Sequence, residues 1–363
     1  RSIFHPVEVS TESVLKEKTR NMDEFQRHVL DVIVKHCRGF VKARKIGNPK
    51  PKPLYLMVHG GAGAGKSLTI NNCAEWTQKI LQQAGDSPNQ PYIIKCSFTG
   101  CAASNIEGMT LHGAFGFAFS DKHFSLSDKL RDLKRSELIH LKLVIIDEIS
   151  MVKADMLYQL DLRLQEIMDQ LGVPFGGVSV IAFGDMCQLQ PCMGKFICDK
   201  PKNLEFRTAH ALAPRWQMFS SILLEKNHRQ GRDKDYADLL NRVRTGDQTM
   251  NDIEILRSRV RSKKHEDLKK VDLYIGCKRK DVAEWNMKYL LKMKDEPFIR
   301  IRAHHHHPTS KKFTPPIDKK DDVVGNTGLV HELLLKIGAR VMIVRNIDVG
   351  DMLSVCKPAL ASK

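Results

Sequence analysis

Hydrophobic residues in the first two thirds of the chain come in short, nearly unbroken runs, at residues 54–58, 92–96, 143–146, 178–183 and 222–224, interrupted only by Lys95 and Ser179. Runs without alternation are what strands buried on both faces require, so they predict a parallel sheet covered by helices on each side. The helices follow from a different period. Phe25, Val29, Val32, Ile33 and His36 fall at helical spacing ahead of the first strand, with a Lys-, Gly- and Pro-rich linker expected over 42–53. Leu68, Ile70, Cys73, Ile80 and Leu81 predict a helix directly after that strand. Leu157, Leu160, Leu164, Ile167, Met168 and Leu171 predict another, stopped by Gly172. Beyond residue 231 the pattern restarts, with Tyr236, Leu239, Leu240 and Val243 as a helix, a strand over 271–277, a helix over 281–291 and a strand over 339–346. These strands are too few to close a second doubly wound sheet. The polar stretch 304–322, with four consecutive histidines, is expected to be a mobile loop.

Between the first strand and its helix stands a dense cluster of small residues: Gly60, Gly61, Ala62, Gly63, Ala64, Gly65, then Lys66 and Ser67. Gly60, four residues, Gly65, Lys66, Ser67 is the Walker A spacing, and strand, glycine loop and helix together aim a helix N-terminus at phosphate. Glycines let the main chain approach oxygens without a Cβ in the way. Lys66 is then expected to reach the β- and γ-phosphates of ATP, and Ser67 to offer a hydroxyl to Mg2+.

An enzyme hydrolysing that triphosphate needs a carboxylate for Mg2+ and a base for water. "LVIIDEIS" ends an apolar strand in both: Asp147 as the metal carboxylate, Glu148 as the group that polarises water. Consecutive strand residues point apart, but a turn at the strand's carboxyl end lets both reach one site. The next strand closes on "FGDMCQLQP", where the neutral amide of Gln188 is suited to sensing a γ-phosphate. Arg229, in "LEKNHRQ", is the candidate for stabilising charge in the transition state.

Composition narrows the partner. A formal charge of +16 over 363 residues and a pI near 9.4 favour a polyanion such as nucleic acid. Nine cysteines without a CxxC pair argue against a disulfide framework or zinc ribbon, and Cys187, Cys192 and Cys198 are expected to pack in strand and loop. No stretch approaches roughly 18 consecutive apolar residues and residues 1–13 lack an apolar core, so a soluble, non-secreted, membrane-free protein is expected. Arg1 in place of Met suggests a piece of something longer.

In order along the chain, "NMDEFQ", "GGAGAGKS", "SFTGCAASNI" with "TLHGAF", "IIDEIS", "GDMCQLQP", "NHRQ" and "KIGARVMIVRNID" resemble the motif series of the PIF (petite integration frequency) and RecD-like helicases of superfamily 1B. The likeness runs from about Asn21 to Leu353 and is strongest toward the PIF-like helicases of animal genomes and Helitron-type transposons. It implies a RecA-like P-loop domain over 54–230, carrying a small insertion near 112–138, after an N-terminal helix and linker (1–53). A partial second RecA-like domain would occupy 231–363. It implies ATP-driven 5′-to-3′ movement on single-stranded DNA with unwinding of forked DNA, in roles such as DNA repair, recombination and telomere maintenance. A monomer is expected, in the nucleus, with mitochondrion and cytoplasm as other locations. By the same resemblance Gln26 would contact adenine, and Thr99, Thr110 and His112 would lie along the DNA. After "NIDVGDML" the chain reads "SVCKPALASK" and lacks the later motifs V and VI, so a C-terminally truncated helicase core is expected. Two alternatives stay open: a non-catalytic nucleic-acid-binding remnant, and a P-loop ATPase or phosphotransferase acting on something other than DNA.

Overall fold

The computed structural model describes Phe4 and residues 6–118, 122–192, 194–231, 233–261, 273–293, 296–302, 332–342 and 358–360. The expected loop over 304–322 lies outside the described residues. The chain divides into two compact units, 1–256 with 347–354, and 257–346 with 355–363.

The first unit opens with helices α1 (Glu12–Arg20) and α2 (Glu24–Ile46), then β1 (Tyr55–Gly60) and α3 (Lys66–Leu81). There follow β2 (Ile93–Ser97), α4 (Gly100–Asn105), β3 (Met109–Thr110), α5 (Leu111–Phe115), α6 (Asp128–Leu138) and β4 (Leu143–Asp147). After these come α7 (Ala154–Met168), β5 (Ser179–Gly184), α8 (Leu204–Leu212), β6 (Ser220–Leu224), α9 (Lys234–Thr245) and the start of α10 (Met250–Ser258). The six strands pair in the order β3-β2-β4-β5-β1-β6, every pair parallel.

Strand alternation splits the apolar runs between two cores. Met57, Val144, Ile146, Val180 and Ala182 face α7, where Leu157, Leu160 and Leu164 are buried. Leu56, Val58, Ile145, Ile181 and Phe183 face α2 and α3, against Val29, Leu30, Ile33, Ile70, Cys73 and Ala74. Each fully buried aliphatic side chain contributes about 1.5–3 kcal/mol, so covering both faces is what makes the short strands stable. Among the described residues, no helix is long and apolar enough to cross a membrane.

Several boundaries differ from expectation, each for a local reason. Helix α2 runs on to Ile46 because Phe40 and Val41 still pack on the core and Lys42, Arg44 and Lys45 suit a helical C-terminus. Gly47 at φ 71° then ends it, and the linker shrinks accordingly. Helix α7 stops at Asp169, which takes the left-handed cap at φ 54°. Leu171 therefore falls outside the helix at 83% exposure and Gly172 is not the stop. Leu68 is also exposed, on the solvent side of α3. Residues 273–276 form no strand. Cys187, Cys192 and Cys198 are exposed rather than packed. The first unit extends past 230 to Leu256, because α9 and α10 are tied to it and to each other: Arg244 pairs with Asp185, and Arg242 with Asp252.

In the second unit, α11 (Arg279–Lys292) precedes two antiparallel pairs, β7 (Ile299–Arg302) with β8 (Glu332–Leu335), and β9 (Arg340–Met342) with β10 (Pro358–Leu360).

Candidate active site

In a parallel sheet all carboxyl ends lie on one edge, and β4, β5 and β1 are consecutive neighbours. Gly60, Asp147 and Gly184, the last residues of these strands, therefore sit side by side, with His59 in register with Gly184. The loop after β1 turns through Gly63 (φ 87°) and Gly65 (φ 74°), conformations a side chain would strain.

Three loop carbonyls are held from outside. Asn227 Nδ2 donates to Ala62 O at 3.3 Å, the His228 amide to Gly63 O at 2.8 Å, and Gln26 Nε2 to Ala64 O at 3.1 Å. With these carbonyls engaged by the protein, the loop amides other than that of Ala64, which donates to Gly61 O at 3.3 Å, and the first-turn N–H groups of α3 are left to bind an anion. Lys66 Nζ rests on the carbonyls of Gly60 (2.8 Å) and Gly61 (3.1 Å), acceptors that phosphate oxygens can replace.

Asp147 is 5% exposed, and its Oδ1 accepts the Glu148 amide at 2.9 Å. Burial pushes its carboxyl up to about 6. The neighbouring Glu148 carboxylate adds to the rise, against the opposing pull of that amide and of Lys66. Lys66 and Asp147 thus sense each other across the edge. Glu148 takes φ 53°, ψ 48°, a left-handed turn costing a non-glycine residue about 1–2 kcal/mol. The turn removes Glu148 from the strand's alternation, as the sequence requires of a pair serving one site.

For Mg2+, the donors present are the Ser67 hydroxyl in the first turn of α3 and the Asp147 carboxylate. Among the described residues no group of three or more His, Cys, Asp or Glu could hold a metal by itself. Two oxygen donors fit a cation that takes its remaining ligands from phosphate and water.

Gln188 is half-buried and its Nε2 donates to Asp185 Oδ2 at 3.1 Å. It shares a cleft of about 590 Å3 with Gly61, Ala62, Ala64, Asp185, Asn227 and the inner side of α9. Lys66, Ser67, Asp147, Glu148 and Arg229 do not line that cleft. The Arg229 main chain crosses the loop so closely that a Cβ on Gly63 would lie 2.7 Å from Arg229 Cβ, while its side chain is exposed.

Gln26 is engaged within the protein. At 1% exposure its amide is already occupied: Oε1 accepts the Asp23 amide in the capping box of α2, and Nε2 holds Ala64 O and lies 3.3 Å from His228 Nε2. It braces the phosphate loop from below, so contact with adenine would require it to exchange partners. Thr99 and Thr110 cap α4 and α5, accepting the amides of Ala102 (3.2 Å) and Gly113 (3.1 Å). Each hydroxyl keeps its own proton to donate. His112 stands half-buried between Phe98 and Phe117, and burial lowers its pKa. Thr99 follows β2, Thr110 ends β3 and His112 comes just after it, all on the same carboxyl edge as the loop.

Sequence reasoning passed over Asn227 and His228, which hold the loop, as well as His59 and Arg244. The first two stand inside the quoted "NHRQ", and a polar Asn-His pair before the arginine is a usable signal. Arg244 has none, being one of two arginines on an amphipathic helix.

Comparison with known proteins finds relatives along most of the chain. The chain is 26% identical over 329 residues to the ATP-dependent DNA helicase PIF1 of Emericella nidulans, covering 89% of this chain and 39% of that protein. It is 28% identical over 298 residues to its Saccharomyces cerevisiae counterpart, covering 80% of this chain and 32% of that one. The chain thus spans about a third of the length of these relatives. Among solved structures, the Pif1 helicase of Candida albicans superposes with a TM-score of 0.61 at 23% identity, covering 93% of this chain and 68% of that one. A Bacteroides Pif1 in complex with ADP-AlF3 and ssDNA gives 0.55 at 24%, over 89% and 66%. These likenesses establish the fold. The PIF1-like helicase family model matches residues 24–254, from the start of α2 into α10, and the chain therefore belongs to that family.

Proposed function

We propose that this chain forms the nucleotide-binding core of an ATP-dependent DNA helicase that moves 5′ to 3′ on single-stranded DNA and opens forked duplex. The observation that carries the proposal is the loop whose three carbonyls are fixed from outside, set on the same sheet edge as Lys66, Asp147 and Glu148. Its amides bind the polyphosphate, and Lys66 leaves Gly60 and Gly61 for the β- and γ-oxygens. Ser67 and Asp147 would hold Mg2+, whose charge offsets that developing on the phosphates. With its carboxyl raised to about 6, Asp147 is mainly ionised at neutral pH, and a bound cation would offset that buried charge. Glu148 orients and deprotonates the attacking water. Gln188 reads the γ-phosphate, and Arg229, exposed beside the loop, supplies the final positive charge.

Single-stranded and forked DNA are the partners this proposal carries, supported by the net charge and by Thr99, Thr110 and His112 on the carboxyl edge. A monomeric state belongs to the same proposal, read by sedimentation with and without DNA. A nuclear location does too, read by microscopy of the tagged protein in cells.

The test is ATP hydrolysis by the chain with and without single-stranded DNA. Turnover stimulated by DNA, and lost in Lys66→Ala and Glu148→Gln, is the expected result. Phosphate transfer to an acceptor other than water, or turnover unaffected by either substitution, would overturn it.

A further inference from the structure

Asp185 is a carboxylate with no exposed surface, at the end of the strand next to the phosphate loop. A buried carboxylate persists only if its lone pairs are filled and its charge is paired. Here both conditions are met largely by one residue. Arg244 donates from Nε to Oδ2 at 2.6 Å and from one terminal nitrogen to Oδ1 at 2.7 Å, a bidentate pair. The Cys187 amide donates to Oδ1 at 3.1 Å and Gln188 Nε2 to Oδ2 at 3.1 Å. The same terminal nitrogen of Arg244 lies 2.9 Å from His59 Nε2, and its other one 3.3 Å from Asn241 Oδ1. A guanidinium only donates, so His59 accepts at Nε2 and carries its proton on Nδ1. Burial lowers the His59 pKa, with Asp185 opposing and Arg244 and Lys66 assisting.

Three elements therefore meet at one guanidinium: β1 just before the loop, the segment after β5 that carries Gln188, and the last turn of α9. The junction is close to the loop itself, since a Cβ on Gly61 would lie 3.9 Å from Arg244 Nε. Along the chain, α9 and α10 lead into the second unit, which begins at 257.

Resting on the function proposed above, the geometry points to Arg244 as a positioning residue that, through Asp185, fixes the amide of Gln188 in the cleft beside the phosphate loop and ties it to α9. One Gln188 amide proton is spent on Asp185, which leaves the carbonyl oxygen and the second N–H oriented for the nucleotide. Any displacement of α9 is transmitted to Gln188 through a single carboxylate. Lysine cannot substitute, because one ammonium cannot satisfy both Asp185 oxygens and His59 in the required plane.

The test uses the full chain with Arg244→Gln and Arg244→Lys. Arg244→Gln is expected to keep ADP affinity within about threefold while lowering both kcat and the preference for a non-hydrolysable ATP analogue over ADP by about 10- to 100-fold, the usual effect of losing a supporting contact. Added guanidinium ion should restore part of kcat in Arg244→Gln, and Arg244→Lys should restore none. Unchanged kcat and unchanged nucleotide preference would overturn the inference. So would ADP and analogue affinities falling together with the melting temperature, which marks a merely structural residue. His59, followed by proton NMR of its imidazole in the nucleotide-free chain, should titrate at higher pH in Arg244→Gln, because it loses a cation and keeps Asp185. An unmoved titration would refute the arm by itself. This readout needs no nucleotide, so failure of the parent chain to bind ATP would count against the proposed function and not against Arg244.

Discussion

Gly63→Ala isolates what the phosphate loop owes to its clasp. The new methyl would sit at φ 87°, a conformation that costs an L-residue about 1–2 kcal/mol. It would also lie 2.6 Å from Asn227 Oδ1 and 2.7 Å from Arg229 Cβ, distances real atoms do not tolerate. Relief requires the 227–229 segment to move off the loop, which breaks the His228-to-Gly63 and Asn227-to-Ala62 hydrogen bonds, worth about 0.5–1.5 kcal/mol each. Together the terms come to about 2–5 kcal/mol against the binding-competent loop, or a roughly 30- to 4,000-fold weaker nucleotide Kd. The control is Gly47→Ala, at φ 71° with nothing within 4 Å of the added methyl, which carries the backbone term alone and lies outside the loop. Fluorescent nucleotide titration of both variants, with melting temperatures alongside, separates the effects. Gly47→Ala should melt lower and bind normally, whereas Gly63→Ala should bind poorly. Parent-like nucleotide affinity in Gly63→Ala would refute the idea that the clasp shapes the loop.

Asp147 should cost stability in the absence of nucleotide. Its folded pKa, raised to about 6 from 3.8, means that its contribution to stability is fully present below pH 3.8 and lost as pH rises through about 6. Asp147→Asn is therefore expected to melt higher than the parent chain at pH 7.5 and progressively less so toward pH 5, by about 3 kcal/mol at the upper end, while hydrolysing no ATP. A melting gap that widens on acidification would reverse the sign and contradict the burial argument. Thr110→Asp keeps an oxygen to cap α5 but places a negative charge on the proposed DNA track. Single-stranded DNA affinity should fall about tenfold at low salt with the melting temperature held, and the difference should shrink as salt rises. Unchanged affinity would remove Thr110 from the track.

The sheet was legible because β1, β2, β4 and β5 are buried on both faces and stand out as apolar runs, whereas the edge strand β6 is exposed over most of its length and shows itself only through Ile222, Leu223 and Leu224. The two residues of β3 are too few to carry a period, and their place beside β2 is set by tertiary pairing. The end of α2 was hidden by its own chemistry, since Lys42, Arg44 and Lys45 look like linker and behave as a helical terminus. In the site, Lys66, Ser67, Asp147 and Glu148 were readable from spacing because their chemistry demands local patterns. The partners that hold them were not. Gln26 and Ala64 are 38 residues apart, and Arg244 and Asp185 are 59 apart, and no local rule links such pairs. Gln26 shows the limit most plainly, because a motif can say which residue matters while only packing shows that its amide is already engaged with the loop.

The most direct test is a crystal structure of the chain with Mg2+ and ADP–aluminium fluoride. Lys66 should have exchanged the Gly60 and Gly61 carbonyls for phosphate and fluoride ligands, with Ser67 and Asp147 about the cation and Gln188 within hydrogen-bonding reach of the fluoride group. A nucleotide bound with Lys66 still on its loop carbonyls, or with Asp147 and Glu148 facing away from the phosphates, would contradict the claim that these residues serve one triphosphate.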